Sequence, residues 1–139
     1  RAIELSQKGY HMLDNAIGYN NACVRGMFAA IIAQALREEG RFDKCYWTYH
    51  NVINDIKPIG SVSKAYLELQ AAQASYNLGY PQESHEHCER YLKAYGDLKG
   101  VAPKCAEDYL FFLADTFRVD VVDFVYNLKT RIEQEGSWQ

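Results

Sequence analysis

Apolar residues recur at three- and four-residue spacing along nearly the whole chain, and the strict alternation that makes a half-buried strand is almost absent. The pattern predicts an all-α protein of about seven helices, over residues 2–17, 22–39, 42–56, 63–78, 81–95, 103–117 and 120–135. Gly40, Gly79, Gly96 and Gly136 stand where these helices should stop, and Pro81 and Pro103 where a first turn tolerates a missing N–H. Ser63 and Asp120 are the expected N-caps.

The faces of the helices differ in kind. In 42–56, Phe42, Cys45, Tyr49, Val52, Ile53 and Ile56 form one apolar stripe, which leaves Trp47 on the polar side with Asp43, His50, Asn51 and Asn54. A tryptophan there needs a cover, either another part of this chain or a binding partner. In 63–78 there are two apolar rows, Ala65, Leu69, Ala72 and Tyr76 on one side and Leu67, Ala71, Ala74 and Leu78 on the other, so this helix should pack on two sides. Tyr66, Gln70, Gln73 and Asn77 run between the rows as a polar and aromatic face.

The chain also repeats itself. Ala33-Gln34-Ala35 followed by Gly40 lines up with Ala72-Gln73-Ala74 followed by Gly79, and a second amphipathic helix follows each glycine. "GRFDKC" opens that helix in the first copy and "GYPQES" in the second, with a small residue, Cys45 or Ser84, five positions after the glycine. Small residues at these points let two helices approach closely. On these residues, about 26 to 96, the sequence resembles the tetratricopeptide-repeat family. The resemblance implies antiparallel helix hairpins stacked as a short right-handed solenoid. The period here, from Gly40 to Gly79, is longer than the ~34 residues of a tetratricopeptide unit. Ala29 and Glu68 replace the large aromatic expected early in the first helix, and Val52 and Tyr91 the small residue expected late in the second. A divergent solenoid with longer loops between hairpins fits these departures, and a compact helical bundle of another family also accommodates them. Residues 103–117 and 120–135 would form a third hairpin, with Cys105, Tyr109, Phe112 and Thr116 in the places of Tyr66, Gln70, Gln73 and Asn77.

In the family, the first helices of successive hairpins line a concave groove that grips extended peptides. The resemblance therefore puts Tyr66, Gln70, Gln73 and Asn77 in such a groove, with Met27, Ile31, Gln34 and Glu38 one period earlier and Arg37 alongside. Amide side chains suit the task, because each donates and accepts and so matches a peptide backbone. A merely solvated polar face is the competing reading of the same row. The lysines with which some family members clamp a terminal carboxylate are missing; Ala30, Gln34, Gln73 and Asp108 stand there instead.

Composition narrows the function classes. With 48% hydrophobic residues and three prolines in 139, the chain is long and apolar enough to build one domain without a metal or disulfide. A net charge of −3 with scattered Lys and Arg offers no stripe for a phosphate backbone, so nucleic acid is not an expected partner. No apolar run reaches the ~18 residues of a membrane span, so a membrane is not expected either. Four cysteines without a C-x-x-C pair read as reduced thiols in the cytoplasm. The segment His85-Glu86-His87-Cys88 brings metal-ligand types together, but on a helix the two histidines lie ~200° apart and cannot share one ion. Cys88 falls on the apolar stripe, and His85 and His87 read as solvated residues at its two borders. Enzyme signatures are not apparent, and no cofactor is implied. The expectation is a non-enzymatic module that binds a protein or peptide segment through Gln34, Arg37, Glu38, Tyr66, Gln70, Gln73 and Asn77, within a longer protein that begins before Arg1. Two alternatives stay open. One is a ligand- or signal-peptide-sensing domain of a signalling or transcription regulator, walled by Tyr66, Tyr76, Tyr109 and Phe112; the other is a metal-binding or catalytic bundle.

Overall fold

The computed structural model describes residues 3–5, 7–8, 19–56, 62–98 and 118–136. They form helices α1 (Tyr19–Glu38), α2 (Phe42–Ile56), α3 (Val62–Asn77), α4 (Pro81–Leu98) and α5 (Val119–Glu135), and residues 3–5 and 7–8 are helical as well. No strand occurs among the described residues. The helix expected over 103–117 lies outside the described residues. No described helix is long and apolar enough to cross a membrane.

Two turns of identical construction join α1 to α2 and α3 to α4. Gly40 and Gly79 adopt φ of 78° and 84°, the left-handed backbone that glycine reaches without a steric penalty. The Gly40 amide donates to the Arg37 carbonyl (2.9 Å) and the Arg41 amide to Leu36 (2.9 Å); in the second turn Gly79 donates to Tyr76 (3.2 Å) and Tyr80 to Ser75 (2.9 Å). These paired bonds satisfy carbonyls that a helix end would otherwise leave open. The next helix then starts in the same way twice, Cys45 N–H on the Arg41 carbonyl and Ser84 N–H on that of Tyr80, each at 3.0 Å. The repeat seen in the sequence is therefore repeated hydrogen bond by hydrogen bond at the turns.

Three expected helix ends shift. Gly96 does not stop α4, which continues to Leu98, and its φ is not left-handed. Asp120 is not an N-cap, because α5 begins at Val119 with Arg118 as the capping residue. Asp120 instead sits in the first turn, where a carboxylate favours the positive end of the helix, and lies 3.3 Å from Arg118 Nε. α3 starts at Val62, which places Ser63 inside its first turn.

α3 is the hub of the structure, in contact with α1, α2 and α4. Its two apolar rows serve two cores. Leu67, Ala71 and Ala74 pack with Ala29, Ala30, Ala33 and Leu36 of α1 and with Cys45 and Tyr49 of α2. Ala65, Leu69 and Ala72 pack with Cys88 and Tyr91 of α4 and with Val122, Val125, Leu128 and Ile132 of α5. Alanine on both rows keeps the helix axes close, while each buried leucine contributes roughly 1.5–3 kcal/mol. The small residues after the two glycines reach α3 itself: Cys45 Sγ lies 3.8 Å from the Gln70 carbonyl, and Ser84 Oγ donates to the Ala72 carbonyl at 2.7 Å.

Candidate functional site: a cleft between three helices

The polar positions of α3 divide into two kinds. Tyr66 and Gln70 are buried, 1% and 2% exposed. The Tyr66 hydroxyl donates to Gln34 Oε1 of α1 (2.5 Å), and Arg37 Nε of α1 donates to Gln70 Oε1 (2.5 Å). Tyr66 and Gln70 therefore do not form the open polar face expected of them: the Tyr66 hydroxyl and Gln70 Oε1 fasten α1 to α3. Buried polar atoms must find a partner, and these two found one on the neighbouring helix. Gln73 is half-buried, Asn77 and Glu38 are exposed, and the Asn77 amide donates back to the Gln73 carbonyl (2.8 Å).

All seven expected residues nonetheless stand in the walls of one concave surface. A pocket of about 260 Å³ has Gln34, Arg37, Tyr66, Gln70 and Gln73 on one side and Val121 and Phe124 of α5 on the other. It adjoins a cleft of about 690 Å³ walled by Arg37, Glu38, Gln73 and Asn77, together with Phe124 and Arg131 of α5. Arg37, Gln73 and Phe124 belong to both. The α5 wall does not follow from the sequence, which points to 103–117 for that role; Tyr109 and Phe112 lie outside the described residues. The available signal was Phe124, an aromatic side chain that falls off the Val122, Val125, Leu128 and Ile132 stripe and remains 45% exposed.

The histidine segment reads differently in space. Cys88 is fully buried as expected, but His85 and His87 are buried too, not solvated. They do point to opposite flanks. His85 Nε2 lies 3.0 Å from Glu133 of α5, and its Nδ1 lies 3.4 Å from Glu89. His87 Nδ1 lies 2.6 Å from Glu68 Oε1 of α3. Glu68 also accepts from the Tyr49 hydroxyl of α2 (2.7 Å) and from Arg90 Nε (3.2 Å), so one buried carboxylate ties α2, α3 and α4 together. Burial by itself would raise its pKa, but the hydrogen bond and charge of His87, the Tyr49 hydroxyl and Arg90 outweigh that and hold it below the usual 4.5. Every polar atom of Glu68 is engaged in structure. Among the described residues, no group of three or more His, Cys, Asp or Glu side chains forms a cluster that could hold a metal ion.

Trp47 is 60% exposed, with Tyr46 edge-on at 5.4 Å and His50 at 5.8 Å between ring centres. Among the described residues, these flanking rings leave most of the indole uncovered. Compared with known proteins, the chain matches no family, no curated protein and no solved structure.

Proposed function

We propose that the chain is a non-enzymatic binding module whose helix hairpins stack in the manner of tetratricopeptide repeats, and that an extended segment of a partner protein lies in the cleft between α1, α3 and α5. The observation that carries this reading is the convergence of residues 34, 37, 38, 66, 70, 73 and 77, drawn from two copies of a repeat, on the walls of one concave surface. The repeated turns support the stacking, since Gly40 and Gly79 end corresponding helices with the same pairs of bonds. The division of labour along the face supports the binding. Tyr66 and Gln70 fix the floor, while Gln73 and Asn77 leave amide groups at the opening, where they match a peptide's own donors and acceptors.

The test is to screen the ¹⁵N-labelled chain against a pool of extended peptides and map which backbone signals move. Shifts centred on Gln73, Asn77 and Phe124, and weaker binding by Gln73→Ala and Asn77→Ala at unchanged melting temperature, are the expected result. Shifts centred on Trp47 and Tyr80 instead would move the site to the outer face of α2 and remove this reading.

A further inference from the structure

The arginines separate into two groups. Arg41 lies 3.2 Å from Glu39, Arg90 3.2 Å from Glu68 and Arg118 3.3 Å from Asp120. Arg37 and Arg131 are the two, among arginines whose side chains are described, with no carboxylate within ion-pair distance, and both stand in the wall of the 690 Å³ cleft. Each is braced by a neutral group. Arg37 is held through its Nε by Gln70 (2.5 Å), and the Arg131 guanidinium lies over the Tyr76 ring, 5.9 Å from its centre. Bracing matters because a guanidinium fixed in advance loses less side-chain freedom when a ligand arrives.

The other charged residue in this wall is Glu38, which is exposed and forms no ion pair with Arg37 or Arg131. The rest of the wall combines amides (Gln73, Asn77, Asn127) with the half-exposed Phe124 ring. The chain as a whole carries −3, so two arginines outside ion-pair distance of any described carboxylate, in the wall of one cleft, are a local feature and not a consequence of composition.

We infer that the occupant of this cleft is an acidic segment within a partner protein, whose Asp or Glu carboxylate is taken by Arg37 and Arg131 while an adjacent apolar side chain rests on Phe124. The inference rests on the reading of the cleft as a peptide site and adds the chemistry of the peptide. Guanidinium and carboxylate match as planar, charged donor and acceptor pairs, and Phe124 offers the apolar contact that a cation alone lacks.

The experiment uses fluorescence anisotropy with three labelled decapeptides blocked at both ends, alike in their Leu and Phe positions and carrying Glu, Gln or Lys between them. The Glu peptide is expected to bind at least about tenfold more tightly than the Gln peptide, the scale of one charge-assisted hydrogen bond. Arg131→Gln, at an exposed position, is expected to remove that preference with the melting temperature unchanged; Arg37→Lys, which keeps the charge but loses the fork, is expected to remove it with a lowered melting temperature, because the buried Gln70 oxygen loses its partner. Equal binding of the Glu and Gln peptides, or of the Glu peptide to wild type and Arg131→Gln, overturns the acidic assignment, as does the failure of all three to bind. If the Gln or Lys peptide binds best and moves the Gln73 and Asn77 signals, the cleft remains a peptide site and only its preference was misread. A Glu peptide that binds only with its terminal carboxylate unblocked also overturns the proposal, in favour of chain-end recognition.

Discussion

His87 Nδ1 and Glu68 Oε1 meet at 2.6 Å although they stand nineteen positions apart in the chain, and both side chains are almost wholly removed from water. Their contact fastens the second helix of one hairpin to the first, and through the Tyr49 hydroxyl it extends to α2. Breaking one member of such a set leaves the others buried without a partner. Glu68→Ala is therefore expected to destabilise the fold by about 3–5 kcal/mol, measured by urea unfolding. Arg90→Gln should do far less, about 1 kcal/mol or under, because the Arg90 side chain is half exposed. Equal losses for the two would mean that the carboxylate's burial is not what matters.

Acid should act on the same group. In the folded chain Glu68 stays ionised below the usual 4.5, whereas the unfolded chain restores the ordinary value. A lowered folded value makes the contribution complete above the unfolded pKa and lost as pH falls through the folded one. The stability difference between wild type and Glu68→Gln is thus expected to be constant from about pH 7 to 6 and to shrink toward about pH 3. Chemical unfolding at a series of pH values measures it, and a gap that widens in acid would refute the assignment.

The glycines make opposite predictions. Gly40 and Gly79 have open space around them, so alanine meets no clash there, but it must enter left-handed backbone. Each substitution is expected to lower stability by about 1–2 kcal/mol. Gly96→Ala, in an ordinary helical position and equally open space, should raise it by up to about 0.5–1 kcal/mol. Thermal melts of the three variants decide the matter.

Burial pushes the thiols of Cys45 and Cys88 up to about 12, in each case against the pull of a neighbouring cation. The thiolate is the reactive form, so both should resist iodoacetamide at pH 8 in the native chain and react once it is unfolded. Mass spectrometry of the peptides containing each cysteine reads this directly. Prompt native labelling of either would show that α2 or α4 opens readily.

Much of this fold is legible in the residues themselves, and the reasons are local. Five helices and the two-sided packing of α3 follow from apolar spacing, because the rows headed by Ala65 and Leu67 are set by helix geometry alone. The 39-residue repeat is legible because glycine is nearly obligatory at its two turns. His85 and His87, expected to be solvated, and Tyr66 and Gln70, expected to form an open polar face, are buried for one shared reason. A polar residue on a helix reads as solvent-facing unless a partner is known, and the partner's place depends on how a second helix is seated, which the first helix's own pattern does not record. Gly96 was misread for the converse reason: a glycine is permitted to end a helix, not compelled to.

The paired turns give each hairpin its own reporter of opening. The amides of Arg41 and Tyr80 lie at corresponding places in the two hairpins, and each stays hydrogen-bonded only while its own turn is closed. If the hairpins opened independently, hydrogen exchange at these two amides would follow two unrelated free energies. Glu68, held from α2 and α4 at once, couples them. Loss of that carboxylate should therefore separate two exchange rates that move together in the intact chain, turning one cooperative unit into two.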